Sequence, residues 1–187
     1  MLGSAFGKIY FWKALLRKNQ IVATIVYSFA TGTDCVTVRG ASHLPMETIM
    51  AHTRIRKFNT KDTYPEQKLD NDLCQAVITQ GGKVVWLRGQ CPQNLDDAAN
   101  IDSHDPVAQT HKVMQNIKQL IEEAGGSMEH LVKVVVYITD VRHREAVYCT
   151  MGEYIKGVFP VSTGLVVQAL ARPEWLVEID GTAVIPE

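Results

Sequence analysis

The sequence contains no long hydrophobic run and no excess of charge of either sign. Its longest apolar stretch, residues 21–30, is much shorter than the ~20 residues that an α-helix needs to cross a bilayer, so we expect no membrane span. The formal net charge is −1, which disfavours a nucleic-acid-binding protein because such proteins need a basic surface. With 46% hydrophobic residues, the chain has enough apolar side chains for a packed core.

Cysteine is scarce, and the usual catalytic motifs are absent. Cys35, Cys74, Cys91 and Cys149 form no C-x-x-C motif and have no neighbouring histidine at zinc-finger spacing. We therefore predict unpaired thiols in a reducing compartment, and no metal site. The sequence also lacks G-x-G-x-x-G, Walker A, H-E-x-x-H and G-x-S-x-G motifs, and its six histidines are scattered. Nucleotide-dependent, zinc-dependent and serine-hydrolase classes are therefore disfavoured.

Residues 1–49 differ in charge from the rest of the chain. They have a net charge of +3, whereas residues 50–187 have a net charge of −4. Three interpretations are open: an organelle presequence, a secretory signal with small residues at Ser28 and Ala30, or upstream sequence outside a working protein that starts at Met50. The third is favoured and predicts a cytoplasmic protein. In each case we expect residues 1–49 not to be a folded domain and residues 50–187 to form a single domain.

Hydrophobic periodicity predicts the elements of residues 50–187. Strands are predicted over residues 53–58, 73–79, 83–90, 131–138, 163–170 and 176–185, because these runs are mostly β-branched and apolar. Asp105-Pro106 is typical of a helix start, and a helical apolar face follows as far as Gly125-Gly126. A second helix is predicted after Asp140, with an apolar face from Val147 to Val158.

The predicted element order is β-β-β-α-β-α-β-β. Strands cluster at both ends, and the two helices flank one strand. This order predicts an α+β two-layer sandwich in which both helices lie on one face of a mixed β-sheet. The other face would stay uncovered, and an uncovered apolar face usually indicates an oligomer.

Three short segments are candidates for a site: residues 88–92, 159–164 and 172–180. Gly89 permits close backbone approach, and its N–H can donate to a ligand. Ser162 and Thr163 offer hydroxyl groups to a carboxylate, and Glu178 can position a water molecule. Ordinary turn chemistry and a solvated strand face explain the same residues without any function.

These segments resemble the RidA/YjgF family, formerly described as endoribonuclease L-PSP. The shared features are Gly-Gln at a strand end, a Pro-led helix ending in E-E-A-G-G, the strand K-V-V-V-Y-I-T-D, then Phe159-Pro160, V-E-I-D and A-V-I-P. The resemblance implies a chorismate-mutase-like fold and a homotrimer with clefts between subunits. It also implies hydrolysis of small enamine and imine metabolites, as by 2-iminobutanoate/2-iminopropanoate deaminases, without a metal or an organic cofactor.

The family pattern is only partly retained. Gly89 and Gln90 match the family's S-G-Q strand end, with Arg88 in place of the serine, and Glu178 matches the glutamate that places the attacking water. Deaminating members read F-P-x-R-S, where the arginine binds the substrate carboxylate, but Ser162 stands in that position here. A serine cannot make the bidentate charged pair. The chain therefore resembles an arginine-less branch of the family.

Two functions remain open from the sequence. The first is a cofactor-free hydrolase in which Glu178 positions water, the Gly89 N–H stabilises developing charge, and Arg88 or Arg172 replaces the missing cation. Strand alternation predicts that Trp86, Arg88 and Gln90 share one face.

The second function is a binding module in which the same inter-subunit cleft holds a small acid or an aromatic ligand. Ser162 and Thr163 would contact that ligand without any chemistry. RNA cleavage is a weaker third idea, because residues 50–187 carry a net charge of −4 and lack interleaved arginine and aromatic residues.

Overall fold

The computed structural model describes residues 52–187 and, ahead of them, four strands. These are β1 (Ile9–Phe11), β2 (Leu15–Arg17), β3 (Gln20–Phe29) and β4 (Gly32–Val38), and β3 pairs antiparallel with each of the others. The sequence analysis assigned no strand here, although the β-branched run of residues 21–26 favours one. Ala30 and Met50 lie outside the described residues.

By its contacts, the chain divides into two compact units, Met1–Ile49 and Met50–Glu187. Whether the first unit belongs to the working protein stays a prediction. The second unit contains β5 (His52–Asn59), α1 (Thr60–Thr63), β6 (Asp72–Thr79), β7 (Lys83–Gln90), α2 (Pro106–Glu123), β8 (Leu131–Ile138), α3 (Arg144–Tyr154), β9 (Val161–Val166) and β10 (Val177–Ile185). The predicted order is confirmed, with the single turn α1 as an addition. None of the described helices has the length and apolar character needed to cross a membrane.

Four strands form a mixed sheet in the order β7-β10-β8-β9. Strand β10 runs antiparallel to β7 and β8, whereas β8 and β9 are parallel, as expected for strands joined by the crossover helix α3. Strand β9 ends at Val166 rather than at the predicted Leu170. The reason is that its partner β8 ends at Ile138, which pairs with Val166.

The hairpin β5–β6 is a separate two-stranded sheet that crosses one end of the mixed sheet. At one end of the hairpin, His52 Nε2 donates to Val184 O on β10 at 2.6 Å. Further along, Arg54 donates to Leu131 O on β8 at 3.2 Å and to Phe159 O before β9 at 3.1 Å. The hairpin therefore covers the end of the sheet at which the Phe159-Pro160 turn lies.

Both long helices pack on the same face of the mixed sheet. Six of their apolar side chains have no exposed surface: Val113, Met114, Ile117, Ile121, Val147 and Met151. They form one hydrophobic cluster with inward residues of β8 and β10, namely Val134, Val136, Val177 and Ile179. This burial confirms the α+β two-layer sandwich and supplies its main stabilising term.

Within residues 52–187, the opposite face of the sheet is uncovered. Trp86 on β7 is 79% exposed, Val84 is 46% exposed, and Leu165 on β9 is 45% exposed. The carboxylates of Glu178 and Asp180 on β10 lie on this same face. Large apolar side chains grouped on one surface typically indicate contact with another protein surface.

The two helix starts use aspartate caps in different ways. Asp105 caps α2 as predicted, because its carboxylate accepts from Ala108 N at 3.0 Å. Asp140 instead accepts from Arg142 N at 2.8 Å and caps a short 3₁₀ turn over residues 141–143. Helix α3 begins only at Arg144, after this 3₁₀ turn. The prediction that Asp140 caps the second helix itself is therefore wrong.

Candidate functional site

A β-bulge at the end of β7 brings Gly89 against Glu178. The pairing of β7 with β10 shifts register between Leu87 and Gln90, so two residues of β7 lie opposite one residue of β10. A side chain on residue 89 would overlap Glu178 Oε1. A glycine is therefore needed here for close approach, and the group that approaches is the protein's own carboxylate.

The thiol of Cys91 holds the other oxygen of Glu178. Its Sγ donates to Oε2 at 3.3 Å, and Cys91 is only 5% exposed. Burial raises the pKa of the Cys91 thiol to about 12, and the adjacent Glu178 charge adds to the rise. The thiol therefore stays protonated at neutral pH and acts as a hydrogen-bond donor rather than as a nucleophile.

Asp180 is the second carboxylate on this face. It accepts from Tyr137 OH at 3.0 Å, and this hydrogen bond raises the pKa of the Tyr137 phenol. Glu178 and Asp180 line an open cavity of about 300 Å³ together with Tyr137 and the segment that follows β9. We refer to Gly89, Cys91, Glu178 and Asp180 as the Glu178 cluster. A carboxylate fixed at the border of a cavity can orient a water molecule toward a substrate.

Arg88 and Gln90 lie at the border of the Glu178 cluster. The prediction that Trp86, Arg88 and Gln90 share a face is wrong for Gln90, because the bulge breaks the alternation before it. Gln90 is 7% exposed, and its amide donates to Arg88 O at 2.8 Å. Arg88 is exposed, and its charge opposes the rise in the pKa of Cys91. Arg88 can therefore meet a ligand from solvent, whereas Gln90 supports the backbone.

Ser162 lines a different cavity of about 250 Å³, which we call the Ser162 cavity. Its walls include three aromatic rings, from Phe58, Tyr64 and Tyr148. Ser162 Oγ is buried and has no aligned hydrogen-bond partner among the described residues. The Tyr148 hydroxyl occupies the position where a side chain on residue 164 would begin, so Gly164 is required by close contact.

Arg144 supplies a positive charge to the Ser162 cavity. It is the first residue of α3, its Nη1 donates to Gln67 Oε1 at 3.0 Å, and its guanidinium lies 4.9 Å from the centre of the Tyr148 ring. Burial raises the pKa of the Tyr148 phenol, while the nearby Ser162 hydroxyl and the Arg144 charge oppose that rise. Ser162 is thus close to the phenol, although the two hydroxyl groups are not aligned for a hydrogen bond.

The Glu178 cluster and the Ser162 cavity lie on opposite faces of the sheet. Ser162 pairs with Val134, which is fully buried beneath the helices, whereas Glu178 pairs with Tyr137. Side chains alternate along a strand, so residues 134 and 137 point to opposite faces. Within one protomer, the structure therefore does not bring Ser162 and Glu178 together.

The remaining expected binding residues lie apart from Ser162. Thr163 is exposed and follows Ser162 on β9, so it points to the open face. Arg172 is exposed, with its Nη1 3.9 Å from Glu174 Oε1 and its guanidinium 5.5 Å from the centre of the Trp175 ring. Neither residue lines the Ser162 cavity. Arg172 is therefore poorly placed to replace a cation at the position of Ser162.

Comparison with known proteins identifies the family. The family model described as Endoribonuclease L-PSP matches residues 68–185, which is more than half of the chain. The chain belongs to the RidA/YjgF family. This confirms the resemblance that the strand-end and last-strand motifs predict.

Two relatives and one solved structure illustrate how far the RidA/YjgF match extends. Protein DfrA of Myxococcus xanthus is 36% identical over 111 residues, which are 59% of this chain and 82% of DfrA. A RutC family protein of Pyrococcus abyssi is 30% identical over 102 residues, 54% of this chain and 79% of that protein. The crystal structure of YyfB, a Rid family protein of unknown function from Yersinia pestis, is 26% identical and aligns with a TM-score of 0.60 over 72% of this chain and 99% of YyfB.

The sequence analysis missed two candidate residues, Arg144 and Tyr148, and it included Cys91 only within the candidate segment 88–92, without a role. Arg144 and Tyr148 are four residues apart, the spacing that places two side chains on one face of a helix, and this was the available signal. Nothing in the sequence connects that helix face with Ser162. Across residues 52–187, no group of three or more His, Cys, Asp or Glu side chains is arranged to hold a metal ion.

Proposed function

We propose that this RidA/YjgF member is a cofactor-free hydrolase that acts on a small reactive enamine or imine. The observation that carries the proposal is the Glu178 carboxylate: it packs against Gly89, receives a hydrogen bond from Cys91, and borders an open cavity. A carboxylate held in this way can position a water molecule and take its proton.

The proposed reaction adds water across the C=N bond. The water oxygen bonds to the imine carbon, its proton passes to Glu178, and the π electrons of the C=N bond move to nitrogen. Glu178 returns the proton to that nitrogen, which gives a carbinolamine. The carbinolamine hydroxyl then passes its proton through Glu178 to the amine nitrogen, the oxygen electrons form the C=O bond as the C–N bond breaks, and a ketone and ammonia leave. We propose the Gly89 N–H as a donor to the charge that develops on this nitrogen, because the bulge interrupts the regular pairing of β7 with β10 at this residue. Because no electrons are gained or lost overall, the reaction needs no oxidant or reductant.

A homotrimer is part of the proposal. One ligand cannot contact both the Glu178 cluster and the Ser162 cavity of a single protomer, since they lie on opposite faces of the sheet. A neighbouring subunit packed on the open face would cover Trp86 and bring its own cavity close to the cluster. Light scattering on the full-length chain should give the mass of three subunits at micromolar concentration; the mass of a monomer would contradict this assembly.

Hydrolysis is tested with 2-aminoacrylate, generated from serine by a dehydratase in the same cuvette. We expect the full-length chain to hydrolyse it slowly but above the spontaneous rate, and Glu178→Gln to return the rate to that background. The matched control is Glu153→Gln, which removes an exposed carboxylate on α3 and should leave the rate unchanged. Equal rates for wild type and Glu178→Gln would reject the role of Glu178.

A second function, ligand binding without chemistry, is favoured by Ser162 itself. A serine in the arginine position gives β9 no charged anchor for a carboxylate. A wild-type rate equal to the spontaneous rate, combined with measurable binding of a small acid, would favour this binding module over the hydrolase.

A further inference from the structure

We infer that Arg144 and Ser162 bind the anionic end of the ligand, and that the Ser162 cavity takes a small carboxylate joined to a flat, unsaturated body. The inference rests on the proposed function, because it concerns the ligand of the same site. The inference goes beyond the proposed function because it assigns the ligand-binding cation to Arg144, the first residue of α3, rather than to a residue of β9.

Arg144 carries a charge that no described carboxylate neutralises. The ion pairs of residues 52–187 do not include it, and its hydrogen bond in this part of the chain goes to the neutral Gln67 amide at 3.0 Å. A guanidinium has five N–H donors in a planar fork that matches a carboxylate. Arg144 therefore retains donors for an anion that enters the cavity.

Ser162 gives a second, independent observation. Its hydroxyl is buried and has no aligned partner, although buried polar atoms in proteins are nearly always hydrogen-bonded. A ligand oxygen in the cavity would satisfy this hydroxyl group. Because Arg144 comes from α3 and Ser162 from β9, polar groups of two different elements converge on one space.

The remaining walls of the cavity favour a flat apolar body. Phe58 and Tyr64 stand at 84° to each other, with ring centres 6.2 Å apart, and Tyr148 adds a third ring. Leu69 and Leu73 also line the cavity and are buried. The cavity of about 250 Å³ holds roughly eight water volumes, which is enough for a ring with a short acid arm. A single guanidinium neutralises the charge of a monoanion, whereas a phosphate dianion would keep an excess negative charge in the cavity.

Calorimetric titration of the full-length chain tests this inference with three probes. Phenylacetate has the acid and the flat ring, phenylacetamide lacks the charge, and cyclohexylacetate lacks the flat ring. We expect phenylacetate to bind about tenfold or more tightly than either analogue. Arg144→Gln should lower phenylacetate affinity about tenfold or more and leave phenylacetamide affinity unchanged, which also shows that the cavity is still formed.

The control variants separate this inference from neighbouring explanations. Arg172→Gln removes an exposed arginine outside the cavity and should leave all three affinities unchanged. Arg144→Lys keeps the positive charge but loses the planar guanidinium, so this variant should still bind the acid more tightly than the amide. If Arg144→Gln does not fold, Arg144→Lys is used in its place. Glu178→Gln should retain phenylacetate binding, so a failure of the hydrolase proposal would leave this result intact.

Three results would overturn the inference. They are no binding of phenylacetate to the wild type at millimolar concentration, equal affinities for acid and amide, or an unchanged phenylacetate affinity in Arg144→Gln.

Discussion

The Glu178 cluster and the Ser162 cavity retain the RidA/YjgF pattern to different degrees. The cluster keeps Gly89 and Glu178 at the matching positions, and their contact depends on a backbone bulge. The cavity has Ser162 on β9 where the family resemblance implies an arginine, and Arg144 enters it from α3. The difference indicates that few residue types fit at positions where strand pairing sets the backbone geometry, as at Gly89. A cavity built from side chains of several segments can instead exchange them while keeping its shape.

Gly89→Ala should have the largest effect. The added methyl group overlaps Glu178 Oε1, and because that atom ends a flexible side chain, the carboxylate should swing out of place. We expect hydrolysis to fall to the spontaneous rate, which is the level expected for Glu178→Gln. Urea denaturation should show a loss of less than about 1 kcal/mol in the free energy of unfolding. Wild-type activity in Gly89→Ala would show that the contact does not matter for catalysis.

Restoring the family arginine should have the next largest effect. Ser162→Arg alone places two guanidinium groups in one cavity, and their repulsion opposes the gain. In the double variant Ser162→Arg, Arg144→Gln, we expect 2-aminoacrylate hydrolysis to rise about tenfold or more over wild type. Adding Glu178→Gln should abolish that gain. If the double variant shows no gain, Ser162 does not contact the ligand, and the comparison with the family position fails.

Gly164→Ala should affect stability rather than chemistry. Its methyl group overlaps the hydroxyl of Tyr148, whose ring is only 5% exposed and cannot move away as Glu178 can. We expect a loss of about 1–3 kcal/mol in the free energy of unfolding. Tyr148→Phe in the same chain removes the overlapping oxygen and should recover part of the loss. An equal loss in the free energy of unfolding for Gly89→Ala and Gly164→Ala would contradict the expected difference between the Glu178 cluster and the Ser162 cavity.

At neutral pH, Cys91→Ala should have the smallest effect on stability, and a difference from the wild type should appear only in alkali. The pKa of this thiol is about 12 in the folded protein, above the ~8.5 of an unfolded chain, so both states hold its proton at neutral pH. From about pH 9 to 12 the unfolded state loses the proton first, and the wild type should lose up to ~1.4 kcal/mol of stability per pH unit from this group. Cys91→Ala should lack that component, whereas the half-exposed Cys149→Ala should keep it.

The sequence predicted regular elements better than it predicted contacts. Strands β7 and β8 were predicted to the residue, because continuous apolar, β-branched runs and the flanking glycines mark them. The face of Gln90 was wrong because a bulge depends on the partner strand, which periodicity does not contain. Arg144 was missed because its contacts are distant in sequence: Gln67 is 77 residues away.

The Glu178 cluster and the Ser162 cavity lie on opposite faces of the sheet, and this has a consequence for trimers that contain different variants of the chain. In the proposed trimer each subunit serves two clefts, giving its Glu178 cluster to one and its Ser162 cavity to another. A subunit defective in both regions would impair two of the three clefts and act dominantly over wild-type neighbours. Two subunits with different single defects, one at Glu178 and one at Arg144, would still form one intact cleft between them. Co-expressed inactive variants can thus complement each other without any wild-type chain.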